Sequence, residues 1–135
     1  MVLANMIRKA AIGRASTDRK DRSMHHEMKL NNAPFQAVKS GSKTVELRLL
    51  DEKRALVKAG DTVLFKNVES GESLACIVVN IYNYANFEEL YAHHNKIAIG
   101  YKEWENADPK DMFAYYSREA VEKYGVVGIE IKLTK

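Results

Sequence analysis

Hydrophobic and polar positions along residues 25–133 switch between alternation and helical spacing, several times over. His25 to Leu30 reads as a first short strand. Asn31 and Asn32 can cap a helix, with Pro34 in its first turn. Phe35, Ala37 and Val38 give that helix a small apolar face, and Gly41 is placed to stop it. From Lys43 to Leu49, Val45, Leu47 and Leu49 share one face and Thr44, Glu46 and Arg48 the other, the pattern of a half-buried strand. Asp51 can cap a single helical turn over Glu52–Val57, and Gly60-Asp61 signals a turn before a strand at Thr62–Lys66. Ser70-Gly71 makes a hairpin into Leu74–Tyr82, a nearly continuous apolar run that suits a central strand covered on both faces.

Asn86 caps a helix that carries Phe87, Leu90 and Tyr91, after which residues 95–107 follow no period. Asp108-Pro109 opens another helix, and Ser117 caps a last one that Gly125 ends. Val127, Ile129, Ile131 and Leu133 alternate with Gly128, Glu130 and Lys132 in a closing strand. The sum is about five strands and three or four short helices joined by short turns. This predicts an α+β domain: a small mixed sheet curling into a barrel, with helices over its ends. A doubly wound sheet is disfavoured, because the βαβ spacing occurs once.

Charge changes the picture when it is located. The formal net charge is +3, but residues 1–22 hold six basic side chains against Asp18 and Asp21. The remaining 113 residues hold 15 basic and 16 acidic side chains. The body is close to neutral, so a polyanion site on it must be a local cluster rather than a basic surface. Residues 1–22 show no strand alternation and the wrong order for a secretory signal. They read as a flexible basic leader, with the domain over residues 23–135. The alternative is a start nearer Met24 or Met28. No stretch approaches a membrane span. The single cysteine excludes an intramolecular disulfide, and no Cys-x-x-Cys offers a thiolate zinc site. A cytoplasmic location without cofactor or metal is the expectation.

The sharpest local pattern is Gly41-Ser-Lys43-Thr-Val-Glu46-Leu-Arg48. Alternation sets Glu46 and Arg48 side by side on one strand face, with Lys43 at its mouth. Arg48 can grip a phosphate or base edge with its planar fork, and Glu46 can accept from a base amine or orient Lys43. The blander explanation is a surface ion pair of little energetic consequence.

With these residues in view, the body from about His25 to Lys132 resembles the ASCH domain family, a branch of the PUA-like barrels. The family's pattern, Gly-x-Lys-x-x-Glu-x-Arg after the first helix, is matched by Gly41, Lys43, Glu46 and Arg48. The stretch Leu49–Arg54 and the ending from Tyr115 to Ile129 are similar as well. The resemblance implies a PUA-like small β-barrel, a cleft lined by the motif's charged residues, and RNA binding. One branch of the family hydrolyses N4-acetylcytidine with a Lys, a Thr three residues later and a distant Glu. Here Lys43 matches the Lys, Glu46 stands where the Thr would be, and the helix at 86–95 runs directly into Lys96-Ile-Ala-Ile, with no Glu in that stretch. That activity is therefore not carried over.

Two function classes follow. The first is a binding module for RNA or a nucleotide-like ligand, contacted by Lys43, Glu46 and Arg48, with Lys53 and Arg54 on a basic rim and Tyr116 beside them. The second is a hydrolase acting on RNA or a modified nucleoside in the same cleft, with Lys43, Glu46 and Ser117 as candidate catalytic residues. A Lys–Glu pair transfers protons if burial brings the amine toward neutrality. A third use, protein contact through the helical cap, predicts an exposed apolar patch near Trp104.

The aromatic groups Tyr82, Tyr84, Phe87, Tyr91 and Phe113, Tyr115, Tyr116 suit base stacking if exposed, and core packing at their helical spacing. Adjacent strand residues face opposite ways, so His25-His26 cannot chelate one ion from one face, and no metal site is expected at either His doublet. Cys76, inside the most apolar strand, reads as a small buried hydrophobe.

Overall fold

The strands fall where the sequence pattern places them. The computed structural model describes residues 23–134; the leader expected over residues 1–22 lies outside the described residues. The strands are β1 (His25–Leu30), β2 (Val45–Leu49), β3 (Thr62–Asn67), β4 (Ser73–Tyr84) and β5 (Val126–Leu133). The helices are α1 (Asn32–Ser40), α2 (Phe87–His93) and α3 (Arg118–Tyr124), with 3₁₀ turns at Arg54–Leu56 and Pro109–Ala114. All five strands form one curled sheet in the order β1-β3-β4-β5-β2. β1 runs parallel to β3, and every other neighbouring pair is antiparallel. The result is an α+β half-barrel of the PUA-like kind.

The register sorts the apolar side chains into two cores. His26, Met28 and Leu30 on β1 stand opposite Val63, Phe65 and Asn67 on β3. Met28, Leu30, Val63 and Phe65, with Cys76, Val78, Val127, Ile129 and Ile131, fill the inside of the curl, and α1 covers them with Phe35 and Val38. The second core lies on the outer face at the other end of the sheet. There Val45, Leu47 and Val126 pack under Phe87 and Leu90 of α2, Ile99, and Val121 of α3. β2 and the first half of β5 therefore lie between the cores, covered on both faces.

Two local expectations change. β4 is central, yet Ile77 and Val79 on it are 39% and 41% exposed. The register shifts between Val78 and Asn80 at a β-bulge. Cys76 and Val78 point inward before it, and Ile81 packs inward after it. The continuous apolar run thus records a switch of face, not two covered faces. At α1, Asn31 occupies the cap position without a side-chain cap bond. Asn32 Oδ1 instead accepts from Nδ2 of the buried Asn67 at 2.9 Å. The helix does end at Gly41, whose φ of 88° is the left-handed turn glycine tolerates.

Candidate functional site

The charged face of β2 does not look at solvent. Glu46 pairs in register with Ile129 and Arg48 with Val127, residues of the inner core. Cross-strand partners share a face, so Glu46 and Arg48 project into the curl. Alternation separated the two faces of β2 correctly but could not say that both would be covered. Glu46 is 3% exposed and Lys43 8% exposed. The surface ion pair is thereby replaced by a buried network.

Lys43 Nζ lies 2.8 Å from Glu46 Oε1. Arg48 donates from Nε to Glu46 Oε2 at 2.6 Å and from Nη2 to the backbone carbonyl of Lys29 at 2.8 Å. Burial alone raises the pKa of Glu46. The charges of Lys43 and Arg48, with their hydrogen bonds, outweigh it and hold the carboxyl below its ordinary value. Burial likewise pulls the Arg48 guanidinium down, and Glu46 pulls it up further, so it stays charged. Glu46 is thus a fixed anion that positions two cations. An arginine carries five N–H donors and a lysine three. The protein hydrogen bonds of Arg48 use two of them.

These donors face an open cleft of ≈ 490 Å³. Lys43, Glu46 and Arg48 form its floor. One wall is the end of β1 and the start of α1, with Lys29 and Pro34; the other is the segment from Ile99 to Tyr116. The second wall is joined to β2 by its backbone: Thr44 N and Val45 N both donate to Ala98 O at 2.9 Å. Gly100 has φ +114°, and a Cβ there would sit 3.3 Å from Lys43 Cδ. The backbone angle favours glycine, and a methyl there would make the lysine stem give by a few tenths of an ångström.

Tyrosines dominate the second wall. Tyr91 and Tyr101 share a hydroxyl hydrogen bond of 2.8 Å, and Tyr101 also donates to Asp111 Oδ2 at 2.7 Å. Tyr116 lines the cleft near Arg48, and its ring stacks on Phe87 at 6.0 Å between centroids. Burial is the main cause that raises the pKa of Tyr116, so its phenol remains a neutral donor.

The sequence-derived candidates thus divide. The structure brings Lys43, Glu46, Arg48 and Tyr116 together around one cleft. Lys53 is exposed, and Arg54 pairs with Asp51 at 2.9 Å; neither is part of the cleft lining. Ser117 Oγ accepts from Ala120 N at 3.1 Å as the cap of α3, and it too stands outside the lining. Gly100 and Tyr101 belong to the site although residues 95–107 show no period; the glycine within that stretch was the available signal.

Elsewhere, Tyr84 hydrogen-bonds His94 at 2.8 Å. His26 pairs with a distant residue, Asp61, at 2.9 Å. Among the described residues no group of three or more His, Cys, Asp or Glu could hold a metal ion. Cys76 is buried, and burial pushes its thiol up to about 11. No described helix is long and apolar enough to cross a membrane.

A family model described as the ASCH domain matches residues 28–135. Among solved structures, the chain is similar to the crystal structure of hypothetical protein PH0355, at 31% sequence identity and a TM-score of 0.70. That match covers 82% of this chain and 100% of the other. It is also similar to the solution NMR structure of protein PF0455 from Pyrococcus furiosus, at 31% identity and a TM-score of 0.65, over 83% of this chain and 99% of that one. No curated protein matches.

Proposed function

The chain belongs to the ASCH domain family, and from that membership we propose that it is a binding module for RNA or a nucleotide-like ligand, held in the cleft over Lys43, Glu46 and Arg48. One observation carries the reading. Two cations are fixed beside a buried carboxylate at the floor of an open cleft, with donors left over. A buried charge is costly unless paired, and this pairing lets the cations stay charged without being used up. Arg48 and Lys43 would meet a phosphate or the acceptor edge of a base. Tyr116 would add a neutral donor beside them.

The cleft is small and its charges nearly balance, since Glu105 and Asp111 also line it. It suits one or two nucleotides rather than a long tract of backbone. The hydrolytic alternative needs a nucleophile at the floor. Ser117 is occupied as a helix cap, and Glu46 is engaged by two cations.

The test is titration of labelled single-stranded oligoribonucleotides and of mononucleotides against the full chain and Lys43→Met, read by fluorescence anisotropy. The reading expects saturable binding by the parent and weaker binding by the variant at a temperature where both are folded. Absence of binding by the parent to every RNA and mononucleotide probe overturns it.

A further inference from the structure

Trp104 is 82% exposed, although an indole is among the side chains with most to gain from burial. Its turn is not loose. Glu105 N donates to Lys102 O at 3.0 Å, and Lys102 N donates to Glu105 Oε1 at 2.7 Å. Lys96 Nζ then donates to the carbonyls of Glu103 and Glu105, each at 2.7 Å. The two carbonyls that flank Trp104 in sequence are thus pinned by one ammonium group. Lys102 and Glu105, on either side of the tryptophan, both line the cleft, as does Tyr115, which is 65% exposed. A rigid turn at the cleft mouth therefore holds an aromatic face out to solvent.

We propose that Trp104 is the stacking platform for an unpaired base of a single-stranded RNA whose neighbouring phosphate sits over Lys43 and Arg48; this rests on the function proposed above. The charge distribution fixes the direction. The Trp104 wall carries Glu103, Glu105, Asp108 and Asp111 against Lys96, Lys102 and Lys110, an excess of one negative charge that disfavours a phosphate there. The floor and opposite wall carry Lys43, Arg48 and Lys29 against Glu46, an excess of two positive charges. A base on the tryptophan and a phosphate over the cations satisfies both sides. A protein partner fits less well. Interface cores are depleted in charge and rich in apolar area. The chain neighbours of Trp104 are the exposed Lys102, Glu103, Glu105 and Asn106. A flat aromatic face among polar groups matches base stacking, which accepts any base.

Trp104 is the chain's single tryptophan, so its emission reports this site alone. The experiment titrates the full chain with hexauridylate and hexaadenylate, reading tryptophan emission and, with labelled oligonucleotides, anisotropy. Quenching should track binding. Trp104→Ala should weaken binding roughly 5- to 150-fold, the range for loss of one stacked base, and Trp104→Phe should recover most of it. Neither variant should shift the melting temperature by more than about 2 degrees, because the side chain is exposed. If the parent binds without quenching and Trp104→Ala binds as tightly, the stacking inference fails while the cleft reading stands. If the parent binds neither oligonucleotide, single-stranded RNA is the wrong class and the inference falls; mononucleotide binding then decides the cleft reading separately. If sedimentation shows self-association that Trp104→Ala abolishes, the indole serves a protein contact and the inference is overturned.

Discussion

Arg48 on β2 donates from Nη2 to the backbone carbonyl of Lys29 on β1 at 2.8 Å, and so ties together the two strands that end the sheet. The sheet order places β1 and β2 at opposite edges, and no β-ladder joins them. An open edge exposes unpaired backbone groups. Here a side chain satisfies one of them and Glu46 holds that side chain in place. Arg48 and Glu46 therefore both close the half-barrel and help to floor the cleft. Stability and the proposed binding therefore draw on one network.

Arg48→Lys separates a charge from a geometry. Lysine is a point charge and cannot reach both Glu46 Oε2 and the Lys29 carbonyl as the planar fork does. The loss of a charge-assisted hydrogen bond should cost about 1.5–3 kcal/mol of stability. Ligand binding should weaken by roughly 1–3 kcal/mol as well. Urea melts beside RNA titrations measure both. A variant as stable as the parent contradicts the seam, and one that binds equally well contradicts the cleft.

Glu46→Gln should act through pH. The carboxyl's folded pKa lies below its unfolded value. Its stabilisation is therefore full above the ordinary glutamate pKa of about 4.3 and is lost as pH falls through the lower folded value. Near pH 7 the substitution leaves two buried cations without their anion, which should cost about 3 kcal/mol. That gap should narrow as both proteins are melted at successively lower pH below about 4. Asp61, also held low despite burial, by hydrogen bonds from His26 and from the Lys58 and Met24 amides, gives the variant an acid limb of its own. A gap that widens with acid contradicts the assignment.

Gly100→Ala tests the approach of the cleft wall to Lys43. The backbone angle is one that alanine avoids, and the new methyl meets the lysine stem. A cost of about 1–3 kcal/mol follows from the strain, with weaker binding because the ammonium must shift. Denaturant midpoints check the first and anisotropy the second; an unchanged midpoint contradicts the strain argument.

Much of this arrangement was legible in the chain. Period-two patterns located β2 and β5, an apolar run located β4 and turn signals set off β1 and β3, while Gly41, Asn86, Ser117 and Gly125 marked helix ends. The motif residues were found, but their environment was not. Alternation reports which side chains share a face and is blind to whether that face meets water or a second layer. Only the curl of the sheet, set by pairings between distant strands, turns the Glu46–Arg48 face inward. Gly100, Tyr101 and the Lys29 carbonyl were missed for the same reason: they join the site through backbone shape. The partner of His26 lay 35 residues away at Asp61 and carried no local signal.

Deleting residues 1–22 should leave the melting temperature nearly unchanged, since β1 begins at His25 and the family match at residue 28. The shortened chain should show a weak salt response. Single strands give a slope of log affinity on log salt of about −0.7 per phosphate neutralised, so one to four contacts give about −1 to −3. A drop of several degrees would contradict the boundary, and a slope implying six or more contacts would contradict a local cleft.

The central claim, that this cleft is the ligand site, is tested most directly by mapping amide chemical-shift changes in the isotope-labelled full chain as hexauridylate is added. The account predicts changes concentrated at Lys43–Arg48, Gly100–Glu105 and Tyr115–Tyr116. It predicts little change at Leu64 and Ile77, which are exposed on the outer face of the sheet. Saturable changes gathered on that outer face, with the floor of the cleft unmoved, would contradict it.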